Sequence, residues 1–399
     1  MATSPIDVGE CCDVFVVGAG LAGLSAAVAF ARAGRRVICA GATERLGGGR
    51  TVALLGPSVD FLDQLGVWPA VEPRAAPMRG LRIVDDTGSL FASPPIVFRA
   101  REIDRDVFGW NVENAALADA LEATAAAHPN LVRMTADAAG FDFAPERATV
   151  ALADGRSFVA ALVVGADGRA SPSRRAAGIA MRERRYPQSA LTVATAHARP
   201  HDDFSTEFHT RQGPFTLVPL PAAPGAPNRS SLVWAMSAAE ARRRAALDDG
   251  ALAVEIERQA RSLLGAMRIE GERGLFPLAR QSVSRLVATR LALVGDAAHA
   301  FPPIGAQGLN LGLRDVKALI AATLASDDIG ANAALDAYAG ARAADVLFRT
   351  AAVAGLNRSL LADCAPVDFA RGLGLAALGA IGPLRRLTMR EGVAPLFSG

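Results

Sequence analysis

Apolar positions fall into three patterns along the chain. Val14–Val17, Leu162–Val164 and Leu291–Val294 are short, unbroken, β-rich runs. Runs of that kind predict strands covered on both faces of a parallel sheet. A second group alternates: LTVATAHA from Leu191, FTLVPL from Phe215 and SLVWAM from Ser231, with proline-rich turns over Pro219–Pro227. Alternation predicts half-buried strands of a mostly antiparallel sheet. The third pattern is helical: the alanine-rich Leu24–Ala33 ending at Gly34, an amphipathic stretch over about Ala238–Leu264, and Leu309–Ala322.

Each unbroken run ends in glycine and polar residues. Gly18, Gly20 and Gly23, with Leu21 and Ala22 between them, sit between the first strand and the Leu24–Ala33 helix, and a second strand follows at Arg36–Cys39. In this strand–turn–helix–strand context the first glycine allows the tight turn and the second lets backbone approach a pyrophosphate. The third lets helix pack on strand, and the helix N-terminus offers free N–H groups to phosphate. The acidic residue expected at the end of the second strand is absent; the position falls at Gly41, and Glu44 is the nearest carboxylate able to reach back. Leu162–Val164 leads into Gly165, Asp167 and Gly168, with Ser171 and Arg174 beyond, and Leu291–Val294 leads into Gly295 and Asp296. Three such strand ends, spread from Gly18 to Asp296, imply one extended ligand lying across the carboxyl ends of a parallel sheet.

At 399 residues the chain is long for one core, so two lobes are expected. The expectation is an α/β protein, α+β overall. Residues 1–78, 99–185 and 276–399 form a discontinuous Rossmann-like nucleotide-binding domain with a C-terminal helical segment. Residues 79–98 and 186–275 form the inserted, mostly antiparallel substrate domain. Lys plus Arg (42) nearly balances Asp plus Glu (40), with no concentrated basic face, which argues against nucleic acid. Cys11, Cys12, Cys39 and Cys364 have no ligand spacing and fit a reducing, cytoplasmic setting. The N-terminus carries Asp7 and Glu10 and does not read as a signal peptide. No apolar run approaches the ~20 residues of a membrane span. Gly372–Leu384, flanked by Arg371, Arg385 and Arg386, reads either as a peripheral contact at the inner membrane or as a helix covering the nucleotide-binding domain.

Reactive side chains are sparse. The five histidines (His128, His197, His201, His209, His299) show no helical metal-ligand spacing, and there is no G-x-S-x-G nucleophile motif. That absence suits an enzyme whose cofactor carries the chemistry. His299 reads either as a base or as a residue that orients its loop through a backbone hydrogen bond. His197 and His209 read as half-exposed strand residues, and Arg280 as lining the substrate cavity or pairing with a surface carboxylate. Phe208, Phe215, Leu217 and Trp234 are either sheet core or walls of a substrate cavity.

G-x-G-x-x-G near the start, G-A-D-G-x-x-S-x-x-R in the middle and G-D-A-A-H late, in this order, resemble the FAD-dependent aromatic monooxygenases typified by para-hydroxybenzoate hydroxylase. Within that family the chain is most similar to the ubiquinone-biosynthesis hydroxylases, through Arg50–Leu54, Phe61–Trp68, Gly109–Leu121, Gly213–Pro221, Ser231–Trp234 and Gly382–Gly392. The resemblance implies bound FAD, NADPH or NADH as transient reductant, and O₂ as co-substrate. It also implies hydroxylation of an aromatic ring, a polyprenylated phenol or quinone precursor, through a flavin hydroperoxide. Carried over, Gly18, Gly20 and Gly23 hold the diphosphate, Arg50 reaches ribose or phosphate, and Asp296 binds ribityl or ribose hydroxyls. Asp167 serves both FAD and the nicotinamide. Pro303, Gly305, Ala306, Gln307, Gly308, Leu309 and Asn310 surround the flavin, with His299, Pro303 and Gln307 closest to a catalytic role. Two departures stand out: Gly41 in place of an acid, and Gly305-Ala306-Gln307-Gly308 where many relatives read Ala-Gly-Gln-Gly. A soluble hydroxylase of a small phenol or secondary metabolite, and a non-catalytic flavoprotein scaffold of a biosynthetic complex, remain as alternatives; oligomeric state is open.

Overall fold

The computed structural model describes residues 11–42, 50–89, 93–301, 307–361 and 365–393. The unbroken apolar runs form the centre of a parallel sheet. Its strands are β1 (Cys12–Val17), β2 (Val37–Ala40), β3 (Leu131–Met134), β4 (Ser157–Gly165) and β5 (Leu291–Leu293), in spatial order β5-β4-β1-β2-β3. Val14, Phe15 and Val16 have no solvent exposure, as a strand covered on both faces requires. One face is packed by helix α1 (Leu21–Arg32), the helix Asn114–Ala126 and helix α2 (Gln307–Leu324). Alanines on the buried side of α1 let it lie close to the sheet. The other face is closed by Phe141, Phe143, Val150 and Phe158 from the antiparallel strands that flank and begin β4.

The alternating runs form a second sheet. Its strand order is His299–Ala300, Met267–Val283, Met181–His197, Arg229–Ser237, Gly213–Leu220, Phe204–Thr210, Gly80–Asp85 and Ile96–Arg99. All neighbours are antiparallel except Phe204–Thr210 with Gly80–Asp85. The chain leaves β5 and joins this sheet at His299, so Val294–Ala298 bridges the two sheets. A small third sheet (Thr51–Leu55, Gly109–Glu113, Ala75–Met78) touches the second where Thr51 Oγ1 and the Asn111 amide reach Ser231 Oγ, 2.9 and 3.2 Å away.

Two sequence expectations need correction, and one open alternative is decided. The stretch expected as one helix over Ala238–Leu264 is two, Ala238–Ala245 and Asp249–Gln259. Each has its own N-cap: Ser237 accepts from the Glu240 N–H and Asp248 from the Ala251 N–H. Phe208, Phe215, Leu217 and Trp234 are core, packed under those two helices with Leu252 and Ile256. The opposite face of the same sheet carries Ala190, Val233, Ala235 and Leu278. Finally, the C-terminal helix Gly382–Val393 packs against the second sheet's edge, where Met389 and Val393 meet Ile96, Phe98 and Ile103. Arg385 is anchored there, with Nε 2.6 Å from Glu102 and its guanidinium over Phe98.

Candidate cofactor site

The three glycine-bearing strand ends meet. Gly18 N–H donates to Ala40 O, Ala166 N–H to Val17 O, and Val294 N–H to Gly165 O, at 2.7, 2.8 and 3.0 Å, which ties the ends of β2, β1, β4 and β5 together. Above them begins α1, whose first intrahelical bond is Leu24 N–H to Gly20 O. The N–H groups of Leu21, Ala22 and Gly23 therefore have no partner within the helix, Gly20 supplies no side-chain cap, and the first turn has no acid. A Cβ on Gly20 would meet nothing within 4 Å, whereas one on Gly23 would lie 1.9 Å from Gly18 O. The turn is thus solid underneath and open on the side where the free N–H groups emerge, as a diphosphate requires.

Helix α2 reaches the same place. A Cβ on Gly312 would stand 3.2 Å from Gly295 Cα and 3.5 Å from Ala22 Cβ, so α1, the Gly295 turn and α2 meet at three minimal residues. Gly308, in the first turn of α2, also faces open space. Leu309 packs on the core. Glu44, Pro303, Gly305, Ala306 and the Gln307 side chain lie outside the described residues.

Several of the expected ligand groups also have partners within the protein. Asn310 is buried; its Oδ1 accepts from Leu55 N–H at 2.9 Å and its Nδ2 donates to Ala53 O at 2.8 Å, so it docks α2 onto Thr51–Leu55. Asp167 accepts from Ser171 Oγ at 2.5 Å and from Ser173 N–H at 2.8 Å. Arg174 is also buried, and its guanidinium donates to Ala297 O and Arg169 O at 2.8 and 2.7 Å. The G-A-D-G-x-x-S-x-x-R motif is therefore a clamp on the turn that carries Asp296. Asp296 itself is half-exposed and pairs with the equally exposed Arg169 at 3.3 Å. An exposed pair of this kind is worth at most about 1 kcal/mol, so a polyol can compete for the carboxylate. Arg50 stacks over Phe276, 5.4 Å from the ring centroid, between the third and second sheets.

His299 corrects the sequence reading most sharply. It is buried, and its Nε2 lies 2.8 Å from Asp315 Oδ2, a charge pair by distance though not a well-aimed hydrogen bond; the expected bond to a backbone group is absent from its ring nitrogens among the described residues. Asp315, fully buried on α2, also accepts from Gly295 N–H at 3.0 Å and from Arg342 Nε at 2.7 Å. Arg342 lies on helix α3 (Asn332–Leu361) and reaches Asp345, which faces Arg314 at 3.1 Å. Tyr338, also on α3, donates to Leu293 O at 2.7 Å. No spacing in the sequence marks this cluster, because Asp315, Arg342 and Asp345 share no motif and His299 lies on another element. His197 and His209 are buried as well, not half-exposed: His197 is held by Arg199 O and Ser230 Oγ, and His209 by Glu207.

Burial alone would push the His299 imidazole down, but the Asp315 carboxylate outweighs it and holds the pKa above the ordinary value. A histidine raised in the folded state stabilises the fold fully below its unfolded pKa of about 6.5, and that contribution is lost as pH rises through the folded value. The melting temperature is thus expected to fall from pH 6.5 upward in the native chain and to be flatter in His299→Gln. Parallel profiles would remove the charge from His299.

Next to His299 lies a cavity of about 810 Å³. Leu335, Ala339, Val346 and Leu347 of α3 form one wall, Leu286 and Val287 another, and Arg280 and Ser282 supply polar groups. Arg280 thus borders this cavity.

A parallel sheet with an anion-ready helix at its strand ends, joined to a large antiparallel sheet, defines a dinucleotide-binding oxidoreductase. Residues 11–347 match the family described as FAD binding domain, and the chain belongs to it. It is similar to the ubiquinone hydroxylase UbiL of Rhodospirillum rubrum, with 35% identity covering 100% of this chain and 94% of that protein. It is also similar to 3-demethoxyubiquinol 3-hydroxylase of Escherichia coli, with 32% identity and 86% of each chain covered. The fold matches p-nitrophenol 4-monooxygenase PnpA from Pseudomonas putida, with TM-score 0.77, 21% identity, and 96% and 98% coverage. It also matches Klebsiella pneumoniae HpxO complexed with FAD and uric acid, with TM-score 0.76, 21% identity, and 98% and 97% coverage. The protein is an FAD-dependent monooxygenase.

Proposed function

We propose that this monooxygenase hydroxylates the ring of a polyprenylated phenol in ubiquinone synthesis, meeting its substrate at a membrane surface. Full-length similarity to a ubiquinone hydroxylase carries the reading. FAD supplies the oxygen-activating chemistry, with O₂ as co-substrate and NADPH or NADH as reductant. The chain's own contribution is binding and orientation. The first turn of α1 takes the diphosphate, Asp296 takes flavin-chain hydroxyls, and the two sheets keep the reacting ring away from bulk water. Leu309 and the start of α2 lie against the flavin, and the positive end of that helix favours negative charge there. The inserted sheet provides the substrate domain, with the face that carries Tyr186, Ala190, Val233, Ala235 and Leu278 turned toward the ring.

Two features support a lipid-like substrate. The cavity beside His299 has aliphatic walls suited to part of a prenyl chain. Seven of the ten large apolar side chains that stand exposed among the described residues fall within 347–387: Leu347, Phe348, Phe369, Leu373, Ile381, Leu384 and Leu387. No helix of the described residues is long and apolar enough to cross a membrane, so contact through these side chains would be peripheral.

The test supplies a prenylphenol, NADPH or NADH and ¹⁸O₂ to the purified flavoprotein. One labelled oxygen is expected on the ring, with reductant consumption that depends on the phenol. Reductant oxidation without hydroxylated product from any prenylphenol would refute the activity. Leu384→Asp with Leu387→Asp is expected to reduce co-flotation with phospholipid vesicles severalfold while leaving the flavin spectrum unchanged; undiminished flotation would refute the membrane contact.

A further inference from the structure

The acid missing from the end of β2 has a structural cause. Gly41 has φ +146°, and a Cβ there would stand 3.0 Å from Ala19 N and 3.1 Å from Gly18 Cα. The backbone at Gly41 is pressed onto the glycine turn itself, and its N–H donates to Met134 O at 3.0 Å on the adjacent strand β3. Any side chain at this position, acidic or otherwise, would be strained by the positive φ and crowded against the turn, so a contact to the adenosine ribose is better supplied by another element.

The chain leaving β3 supplies one. Asp137 is exposed and lies at the carboxyl end of the parallel sheet, where dinucleotide ligands bind. Its Oδ1 accepts from Ala42 N–H at 3.2 Å, which places the carboxylate one residue from Gly41. Its own carbonyl accepts from Ala153 N–H at 2.8 Å, which fixes the backbone. The nearby cation Arg133 is engaged by Glu122 at 3.0 Å and by Cys39 O at 2.8 Å, so it is already partnered. We propose that Asp137 is the carboxylate that accepts hydrogen bonds from the vicinal hydroxyls of the FAD adenosine ribose, in place of the acid that Gly41 excludes. β3 thereby takes over a contact that the β2 end usually makes, and the shift lets the Gly41 backbone pack on the phosphate turn.

The test pairs a change in the protein with a change in the ligand. Apoprotein is titrated with FAD and with its 2′,3′-dideoxyadenosine analogue, following flavin fluorescence. The native chain is expected to bind the analogue about ten- to a hundredfold more weakly than FAD, the range for a hydrogen bond to a charged group. Asp137→Ala is expected to bind FAD as weakly as the native chain binds the analogue, and to distinguish the two ligands no more than about twofold. Asp137→Asn retains an acceptor for Ala42 but not the charge, and is expected to lose at least several-fold in FAD affinity. Melting temperatures of the apoproteins should coincide, because Asp137 is at the surface. Asp137→Asn behaving like the native chain while Asp137→Ala weakens both ligands equally would make Asp137 a loop anchor only and overturn the proposal. Loss of ribose discrimination in Glu44→Ala instead of Asp137→Ala would overturn it too.

Discussion

Gly23→Ala is expected to give a protein without bound flavin and with a lowered melting temperature, whereas Gly20→Ala should fold and bind FAD weakly. The two glycines are three residues apart but are needed for opposite reasons. At Gly23 the new methyl would lie 1.9 Å from the Gly18 carbonyl oxygen and 3.2 Å from Ala166 Cβ. That neighbour is backbone, so no rotamer change relieves it; α1 must lift from the sheet, and α1 is buried from Gly23 to Ala31. Overpacking of this kind costs about 1–3 kcal/mol, and lifting the helix withdraws the N–H groups that face the diphosphate. At Gly20 the methyl enters open space, so the fold loses little beyond a weaker N-cap. The space it enters is where a phosphate approaches the backbone, and a loss of FAD affinity of about tenfold or more is expected, one hydrogen bond to a charged group being worth about 1.5–3 kcal/mol. Visible flavin absorbance after purification, set beside melting curves of the apoproteins, separates the two. A yellow Gly23→Ala protein of native stability would show that the turn yields, and the tight packing beneath it would then not be what requires glycine.

The contrast also shows what the sequence could disclose. Strand ends were legible because steric demand leaves a chemical mark: where backbone must pass backbone, only glycine fits, and unbroken apolar runs name the strands that lead there. The side on which alternating strands face the site was not legible. Phe208, Phe215, Leu217 and Trp234 read as sheet core or as cavity wall, since alternation gives a period and not a direction. These four went under the two short helices and left Ala190, Val233, Ala235 and Leu278 on the opposite face. Asp167 and Asn310 show a second limit. A carboxylate or amide at a strand end or helix start has the same sequence signature whether it binds a ligand or the protein's own backbone. Here Asp167 accepts from Ser171 and Ser173, and Asn310 spans Ala53 and Leu55. The cluster around Asp315 was hidden because its partners are far apart in sequence, and isolated charges on helices usually face water.

Asp315→Ala is expected to be strongly destabilising. Asp315 is fully buried between groups that all need it: Arg342 Nε at 2.7 Å, His299 Nε2 at 2.8 Å and Gly295 N–H at 3.0 Å. Burial would push its carboxyl up, but His299 and Arg342 hold it below the usual carboxylate range, so it is charged at neutral pH. Removing one partner of a buried ion pair costs about 3–5 kcal/mol, because the other is left desolvated and unpaired. The double variant Asp315→Leu with Arg342→Met removes both charges, leaves Asp345 its neighbours Arg314 and Arg349, and lets His299 become neutral. It is therefore expected to be more stable than Asp315→Ala alone, a reversal that denaturant unfolding can measure directly. FAD affinity should not recover with it. Neither of the two replacement side chains could accept from the Gly295 N–H, so the turn that presents Asp296 would stay unanchored while the fold regained its stability. Recovery of both together would mean that the cluster acts on the cofactor only through global stability; recovery of stability alone would identify Asp315 as the residue that positions the flavin-binding turn.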